Sequence, residues 1–206
     1  MKIGIYGSGM IGGTLARLWL SAGHEVRFGA RDTERTARKV PSIDARASVG
    51  ELEETARWAD ALLLAIPLHA TVAVGAAIAP AAAGKLVLDA GNAIPARDGA
   101  AAAEAAQLGT GVWVARQLPG AHVVKAFNTV YFKTIAGEAH RAGERVGVPL
   151  AGDDEAALAT AERLVADAGL EPVRAGGLAA SRSIDYGSPV WNTGMTAAAL
   201  RRALAL

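Results

Sequence analysis

Residues 7–12 read Gly-Ser-Gly-Met-Ile-Gly and stand between a short apolar run, Lys2–Tyr6, and a segment whose apolar residues Ile11, Leu15, Leu18 and Trp19 recur at helical spacing. A strand, a turn of the form G-x-G-x-x-G and a helix in immediate succession form the opening of a dinucleotide-binding βαβ unit. Glycine is abundant, with 24 copies, so the spelling alone weighs little and its place between strand and helix carries the inference. Gly7 then permits the tight turn, Gly9 lets a pyrophosphate approach the backbone, and Gly12 lets helix pack closely on strand. Unpaired N–H groups at the helix start face the phosphates, helped by the helix dipole.

The rest of the chain alternates short apolar runs with Ala/Leu-rich segments, the pattern of a mostly parallel sheet. Strands are expected at Lys2–Tyr6, Glu25–Phe28, Ala61–Ala65, Leu86–Asp89, Val123–Ala126, Val146–Ala151 and near Glu171–Arg174. Helices are expected at Met10–Ala22, closed by Gly23, and from Asp32, an N-cap, through Lys39. Ser48 and Glu51 read as a capping box opening a further helix to about Trp58, outside the sheet. Glu155–Ala168 and a short helix near Thr196–Leu204 complete the set, while residues 96–110 are Ala-rich and of low complexity. The expected fold is α/β: a Rossmann-like, doubly wound, mostly parallel sheet in one domain, 1–206, with about 176–206 as a C-terminal segment at an acceptor site.

Which dinucleotide fits depends on the end of the second strand, about twenty residues past the glycines, where an acid would bind the ribose hydroxyls of NAD. This chain has Gly29-Ala30-Arg31-Asp32 there. Arg31, helped by Arg35 one helical turn on, suits the 2′-phosphate of NADP, while Asp32 has a ready role as N-cap. Ligands of open parallel sheets lie beyond the carboxyl ends of the strands, which selects Ile66, Pro67, His69, Asn92 and Asn128 for the nicotinamide end. These are mostly neutral. There is no Tyr-x-x-x-Lys and no His with a clear carboxylate partner, so no catalytic residue is assigned. His69 reads as a residue that caps the next helix or packs beside the coenzyme, with acid–base work as the alternative; Asn128 and Thr129 read as hydrogen-bonding or turn residues. Hydride transfer to a flavin-like ring needs mainly two flat rings held face to face, which glycines, Pro67 and neutral amides can do.

Charge and composition exclude other classes. With 21 basic and 20 acidic side chains the net charge is +1, which leaves no surplus for a nucleic-acid backbone. Zero cysteines and four scattered histidines exclude thiolate chemistry and leave no metal site expected. Residues 61–84 carry no Asp, Glu, Lys or Arg, but Pro67, His69, Thr71 and Pro80 favour a buried strand and an apolar helix over a membrane span. Without an export signal after Met1-Lys2, a cytoplasmic location is expected.

Taken together, Lys2–Gly12, Gly29–Asp32, Ala65-Ile66-Pro67, Leu88–Asn92, Val124–Thr129, Pro149–Asp154 and Ala175–Leu178 with Ser181-Arg182 resemble the NADP oxidoreductases that depend on the deazaflavin coenzyme F420, over about residues 1–185. That family also includes the NADPH-binding domain of mammalian transmembrane metalloreductases, where the acceptor is a flavin. The resemblance implies NADPH held by Ser8, Met10, Ile11 and Arg31, its nicotinamide near Ile66-Pro67 and Ala126–Asn128, a deazaflavin or flavin beside it, and a homodimer. Family members carry a longer apolar C-terminal helix; this chain instead has Ile184–Thr193, where Trp191 can stack on a ring or simply pack. Two other readings remain. An imine or pyrroline-5-carboxylate reductase would need a large helical C-terminal domain, and an NADP(H)-binding sensor would lack turnover.

Overall fold

The first strand, β1 (Lys2–Tyr6), occupies the middle of an eight-stranded sheet in a computed structural model that describes residues 1–206. Beside it on one side lie β2 (Glu25–Gly29) and the edge strand β3 (Ser48–Gly50). On the other side follow β4 (Ala61–Leu64), β5 (Leu86–Asp89), β6 (His122–Lys125), β7 (Gly147–Gly152) and β8 (Glu171–Gly176). Every pairing is parallel except β6 with β7. The chain runs outward from β1 to β3, then returns to β4 on β1's other side. This reversal of direction opens a crevice between β1 and β4 at their carboxyl ends, where open α/β sheets bind ligands.

Both faces are covered because successive strand residues point to opposite sides. Ile3, Ile5, Ala61, Leu63, Leu86, Leu88 and Val124 join one core. It packs against α1 (Met10–Ser21), α7 (Phe132–Glu138) and α8 (Glu155–Asp167), through Trp19, Ile135 and Leu164 among others. Tyr6, Leu62, Leu64, Val87 and Val123 join the opposite core. That core takes in α3 (Leu52–Trp58), α4 (Ala70–Ala82), α5 (Pro95–Leu108) and α6 (Thr110–Gln117). Trp19 is fully buried, and its indole N–H donates to the Leu164 carbonyl at 2.8 Å, tying α1 to α8. α2 (Thr33–Ile43) begins at Asp32, whose carboxylate accepts from Arg35 N at 2.8 Å, as expected of an N-cap.

One sequence expectation requires correction. Ser48 does not cap a helix: it begins β3, and α3 starts only at Leu52, with Glu51 making no side-chain cap bond. The triplet Ser48–Gly50 was invisible as a strand because an edge strand this short has no period to read. The Ala-rich 96–110 stretch folds as α5, kinked at Gly99 where φ is +52°, followed by α6. The uncharged 61–84 stretch divides into β4 and α4, and no helix is long and apolar enough to cross a membrane.

The C-terminal segment is irregular, with a short 3₁₀ turn at Leu178–Ser183 and α9 (Ala197–Ala203). Side chains fasten it to the sheet domain. Asp153 Oδ1 accepts from Leu178 N at 2.7 Å, Ser181 Oγ accepts from Gly111 N at 3.2 Å, and Asp185 accepts from Thr110 N at 2.9 Å and from the Thr110 hydroxyl.

Candidate functional site

The glycine turn has the shape that its spelling predicts. Gly7 has φ of +111°, and a Cβ there would lie 2.3 Å from the Ala65 carbonyl oxygen, so no other residue fits. At Gly12 a Cβ would lie 2.0 Å from the Gly7 oxygen and 3.2 Å from the Ile5 side chain, the close helix–strand approach. Gly9 differs from both: a Cβ built on it meets nothing within 4 Å. The space over Gly9 is open, as a bound pyrophosphate requires. No side chain caps α1, and its first turn carries no acid, so its leading N–H groups remain free to face an anion.

Beside this turn a groove of about 300 Å³ is lined by Ser8, Arg31, Asp32, Arg35, Thr36 and Lys39 among others. Arg35 and Lys39 stand four residues apart on one face of α2, and Arg31, just before its cap, lines the same groove. Lys39 was not foreseen from the sequence; its Nζ donates to the Ser8 carbonyl, bridging α2 to the glycine turn. The spacing from Arg35 was the available signal. Asp32 Oδ1 caps α2, so in this groove one carboxylate stands beside three cations.

At the other end the loops after β4, β5 and β6 converge. Ile66, Pro67, Gly91, Asn92, Met10 and Ile11 line one cavity, with Arg97 at its edge. A second, smaller cavity shares Met10, Ile11, Ala90 and Asn92 with the first and adds Phe127, Asn128, Tyr131, Phe132, Trp191 and Asn192. Trp191 packs edge-to-face on Tyr186 with centroids 4.7 Å apart. Ala126 is fully buried in the core and lines neither cavity, so it supports the site from below.

Two amides join these loops. Asn92 Nδ2 donates to the Asn128 carbonyl at 3.0 Å, and Asn128 Nδ2 donates to the Ile184 carbonyl at 2.6 Å. The Asn128 Oδ1 is buried without a hydrogen-bond partner, and the preceding residue, Phe127, is held at φ of +63° although it is fully buried. An unpaired buried acceptor and a left-handed aromatic are both costly, and such features gather at ligand sites. Asn192 N closes the arrangement by donating to the Thr129 carbonyl at 2.7 Å.

Beneath the loop at Gly91 lies an ion pair that sequence reasoning passed over. Lys125 Nζ is 2.8 Å from Asp89 Oδ2, and both side chains are buried. Asp89 Oδ1 accepts from Gly91 N at 2.8 Å, while Lys125 also donates to the Gly91 carbonyl, so the pair clamps the peptide that carries Asn92. Both residues had been noted within motifs; only their pairing across β5 and β6 was unreadable. Tyr6, at the end of β1, donates to the Leu52 carbonyl at 3.0 Å, and burial pushes its phenol pKa upward, which makes it a structural group.

The expectation that no histidine has a carboxylate partner is overturned. His69 Nδ1 lies 2.8 Å from Asp98 Oδ1, and the Asp98 side chain is fully buried while that of His69 is 53% exposed. Asp98 also accepts from Ile94 N at 2.9 Å and from Arg97 at 2.8 Å. Burial alone would raise the Asp98 pKa, but hydrogen bonds from Arg97, Ile94 and His69 together hold it well below the usual carboxylate range. His69 does not cap α4 through its side chain, as had been expected, because its ring turns to Asp98 instead. The pairing was hidden because His69 precedes α4 while Asp98 lies in the first turn of α5, 29 residues on.

Comparisons with known proteins agree with this architecture. The family described as NADP oxidoreductase, coenzyme F420-dependent, matches residues 2–93. Among curated proteins the chain is similar to the metalloreductase STEAP3 of Rattus norvegicus, with 29% identity over 191 residues covering 89% of this chain. The chain spans about a third of that relative, 36% of its length. Among solved structures, a hypothetical protein, SMa0349 from Sinorhizobium meliloti, superimposes with a TM-score of 0.82 at 27% identity over 95% of each chain. A candidate F420-dependent NADP reductase from Arthrobacter sp. FB24 gives a TM-score of 0.76 at 24% identity, covering 89% of this chain and 88% of that one. A reductive aminase from Aspergillus terreus, solved with NADPH, shares the fold at a TM-score of 0.62 and 22% identity, over 89% of this chain but 57% of its own. Residues 2–93, which include the glycine turn and Arg31, are thus similar to the coenzyme F420-dependent NADP oxidoreductases.

Proposed function

We propose that the protein is an NADPH-dependent oxidoreductase that passes hydride to a flat conjugated acceptor, a deazaflavin or a flavin, seated under the C-terminal segment. The observation that carries this reading is the adjacency of the two cavities, which share Met10, Ile11, Ala90 and Asn92 as lining. One cavity runs from the glycine turn and the other is walled by Phe127, Tyr131, Phe132 and Trp191. The residues fit the dinucleotide: the backbone at Gly9 is open for a pyrophosphate, and Arg31, Arg35 and Lys39 line a groove that would receive an adenosine 2′-phosphate. Met10 and Ile11 would separate phosphates from nicotinamide, Ile66 and Pro67 would back the ring, and Asn92 and Asn128 would offer it amide hydrogen bonds. NADPH, when bound, supplies the hydride. The chain's own contribution is to hold two rings at contact distance in a largely apolar cleft and to keep water out.

The reductive aminase shares the fold, but the aromatic wall here suits a planar acceptor better than an aliphatic imine. Steady-state oxidation of NADPH against deazaflavin, flavin, quinone and imine acceptors tests the reading. Turnover with the tricyclic acceptors and little with the imine is expected. Tight NADPH binding without oxidation by any acceptor would contradict it and identify an NADP(H) sensor.

A further inference from the structure

We propose that the hydride acceptor carries a phosphate on its side chain, and that Arg17, with Thr14 and Lys39, binds this phosphate in a cleft next to the ring cavity. The inference rests on the planar-acceptor reading above and narrows it to a phosphorylated flavin or deazaflavin. The cleft lies between α1, α2 and α7 and holds about 330 Å³. Thr14 and Arg17 of α1, Lys39 and Ser42 of α2, Met10 and Phe132 are among its lining, which contains two cations and no carboxylate. Asp44, just past α2, feels the charge of Arg17, but Arg46 holds both its oxygens, at 3.0 and 2.8 Å.

Arg17 is oriented without being neutralised. Its Nε donates to the Ile43 carbonyl at 2.8 Å and its Nη2 to the Ser42 carbonyl at 3.4 Å, while Nη1 makes no hydrogen bond and the group no salt bridge within the chain. A guanidinium steadied by neutral carbonyls keeps its whole charge and a free N–H pair, which suits a phosphate. Thr14 is only 6% exposed, and its hydroxyl makes no hydrogen bond within the chain. Lys39 uses one N–H on the Ser8 carbonyl and has two left. Lys39 also lines the groove beside Arg31, whereas Arg17 and Thr14 do not, so these two are particular to the cleft.

Its position links the cleft to the acceptor. Met10 and Phe132 line both the cleft and the aromatic-walled cavity, so the two spaces are neighbours across these side chains, and Phe132 takes no part in the cavity assigned to nicotinamide. Met10 is 64% exposed, a flexible side chain that a ligand can displace. A polyol chain on a ring seated against Phe132 would pass Met10 and bring a terminal phosphate to Arg17. The phosphates of the coenzyme have their own partners in the proposed function, the open backbone at Gly9 and the cations beside Arg31. Arg17 is the cation at the glycine turn that they leave unused.

Acceptors that differ only in the phosphate test this: riboflavin against flavin mononucleotide, and 5-deazariboflavin against its 5′-phosphate, so that the choice of ring does not decide the outcome. At saturating NADPH, kcat/KM is expected to be about 10- to 100-fold higher for the phosphorylated member of a pair, mostly through KM, the scale of a charge-assisted contact. Arg17→Met should abolish that preference while reduction of the phosphate-free flavin stays within about twofold of wild type. Arg17→Lys, which keeps the charge, should restore much of it, and Thr14→Val should show a smaller loss confined to the phosphorylated acceptors. Inorganic phosphate should compete with flavin mononucleotide and leave riboflavin reduction unchanged. Equal kcat/KM for both members of a pair in the wild type, or an equal loss with both in Arg17→Met, would overturn the proposal. So would a fall in the NADPH affinity of Arg17→Met, followed by coenzyme fluorescence, which would assign Arg17 to the coenzyme. The two levels separate: NADPH binding without oxidation by any of these acceptors strikes the planar-acceptor reading itself, whereas turnover without a phosphate preference strikes only this cleft.

Discussion

Under the proposed function, single residues set which coenzyme the site accepts. Arg31 stands at the end of β2 with Arg35 and Lys39 behind it, and a charge-assisted pair with a phosphate is worth about 1.5–3 kcal/mol. Arg31→Glu should therefore weaken NADPH by at least tenfold more than NADH in fluorescence titrations, and equal losses would remove the 2′-phosphate assignment. The three motif glycines should separate cleanly. Gly9→Val meets open space in the free protein, so its stability to urea should stay within about 0.5 kcal/mol of wild type while binding of either nucleotide is lost. Gly12→Ala drives a Cβ onto the Gly7 carbonyl at 2.0 Å and should lower stability itself, by about 1–3 kcal/mol. At this scale the sequence was most legible where a residue acts through its own backbone or its immediate neighbours, as at Gly7 and Asp32. It was illegible where two side chains meet across the sheet. Lys125 with Asp89, and His69 with Asp98, are pairs whose members lie 36 and 29 residues apart, and nothing local announces them.

Elements bring those residues together, and their loops are held by buried charge. Asp98 is ionised in the folded protein because burial, which opposes its charge, is outweighed by hydrogen bonds from Arg97, Ile94 and His69. Its folded pKa lies below its unfolded value near 3.9, so it contributes stability that is fully present above that value and is lost as pH falls through the folded pKa. Asp98→Asn should accordingly be destabilising at pH 7, and its deficit against wild type in urea unfolding should shrink toward pH 3; a deficit independent of pH would contradict the ionised hub. Strands and helices with a clear period, β1, α1, β5 and α8, stand within a residue or two of their sequence expectation. β3 escaped because three residues at a sheet edge have no alternation to read, and its Ser48 and Glu51 mimic a capping box. The bend in α5 at Gly99 escaped for the opposite reason: an alanine-rich run is helical by propensity and says nothing of where it turns.

The whole molecule places a crevice at the reversal between β1 and β4 and then covers its far end with residues after Gly176. Asp185 on the start of α6, Asp153 on Leu178 and Asn192 on Thr129 fasten that cover from three directions. The doubly wound plan followed from strand and helix alternation alone, because each element's apolar period fixes which face it buries. The course of residues 177–196 did not, since irregular backbone is set by tertiary partners such as Asn128 and Thr110. Coenzyme binding requires the glycine turn and the cations at and before α2 to act together on one dinucleotide. Isothermal calorimetry of the purified chain with NADPH and with NADH tests that most directly. A saturable heat with NADPH, and an affinity for NADH about ten- to a hundredfold weaker, is the predicted result; no heat with either coenzyme, or equal affinity for both, would contradict it.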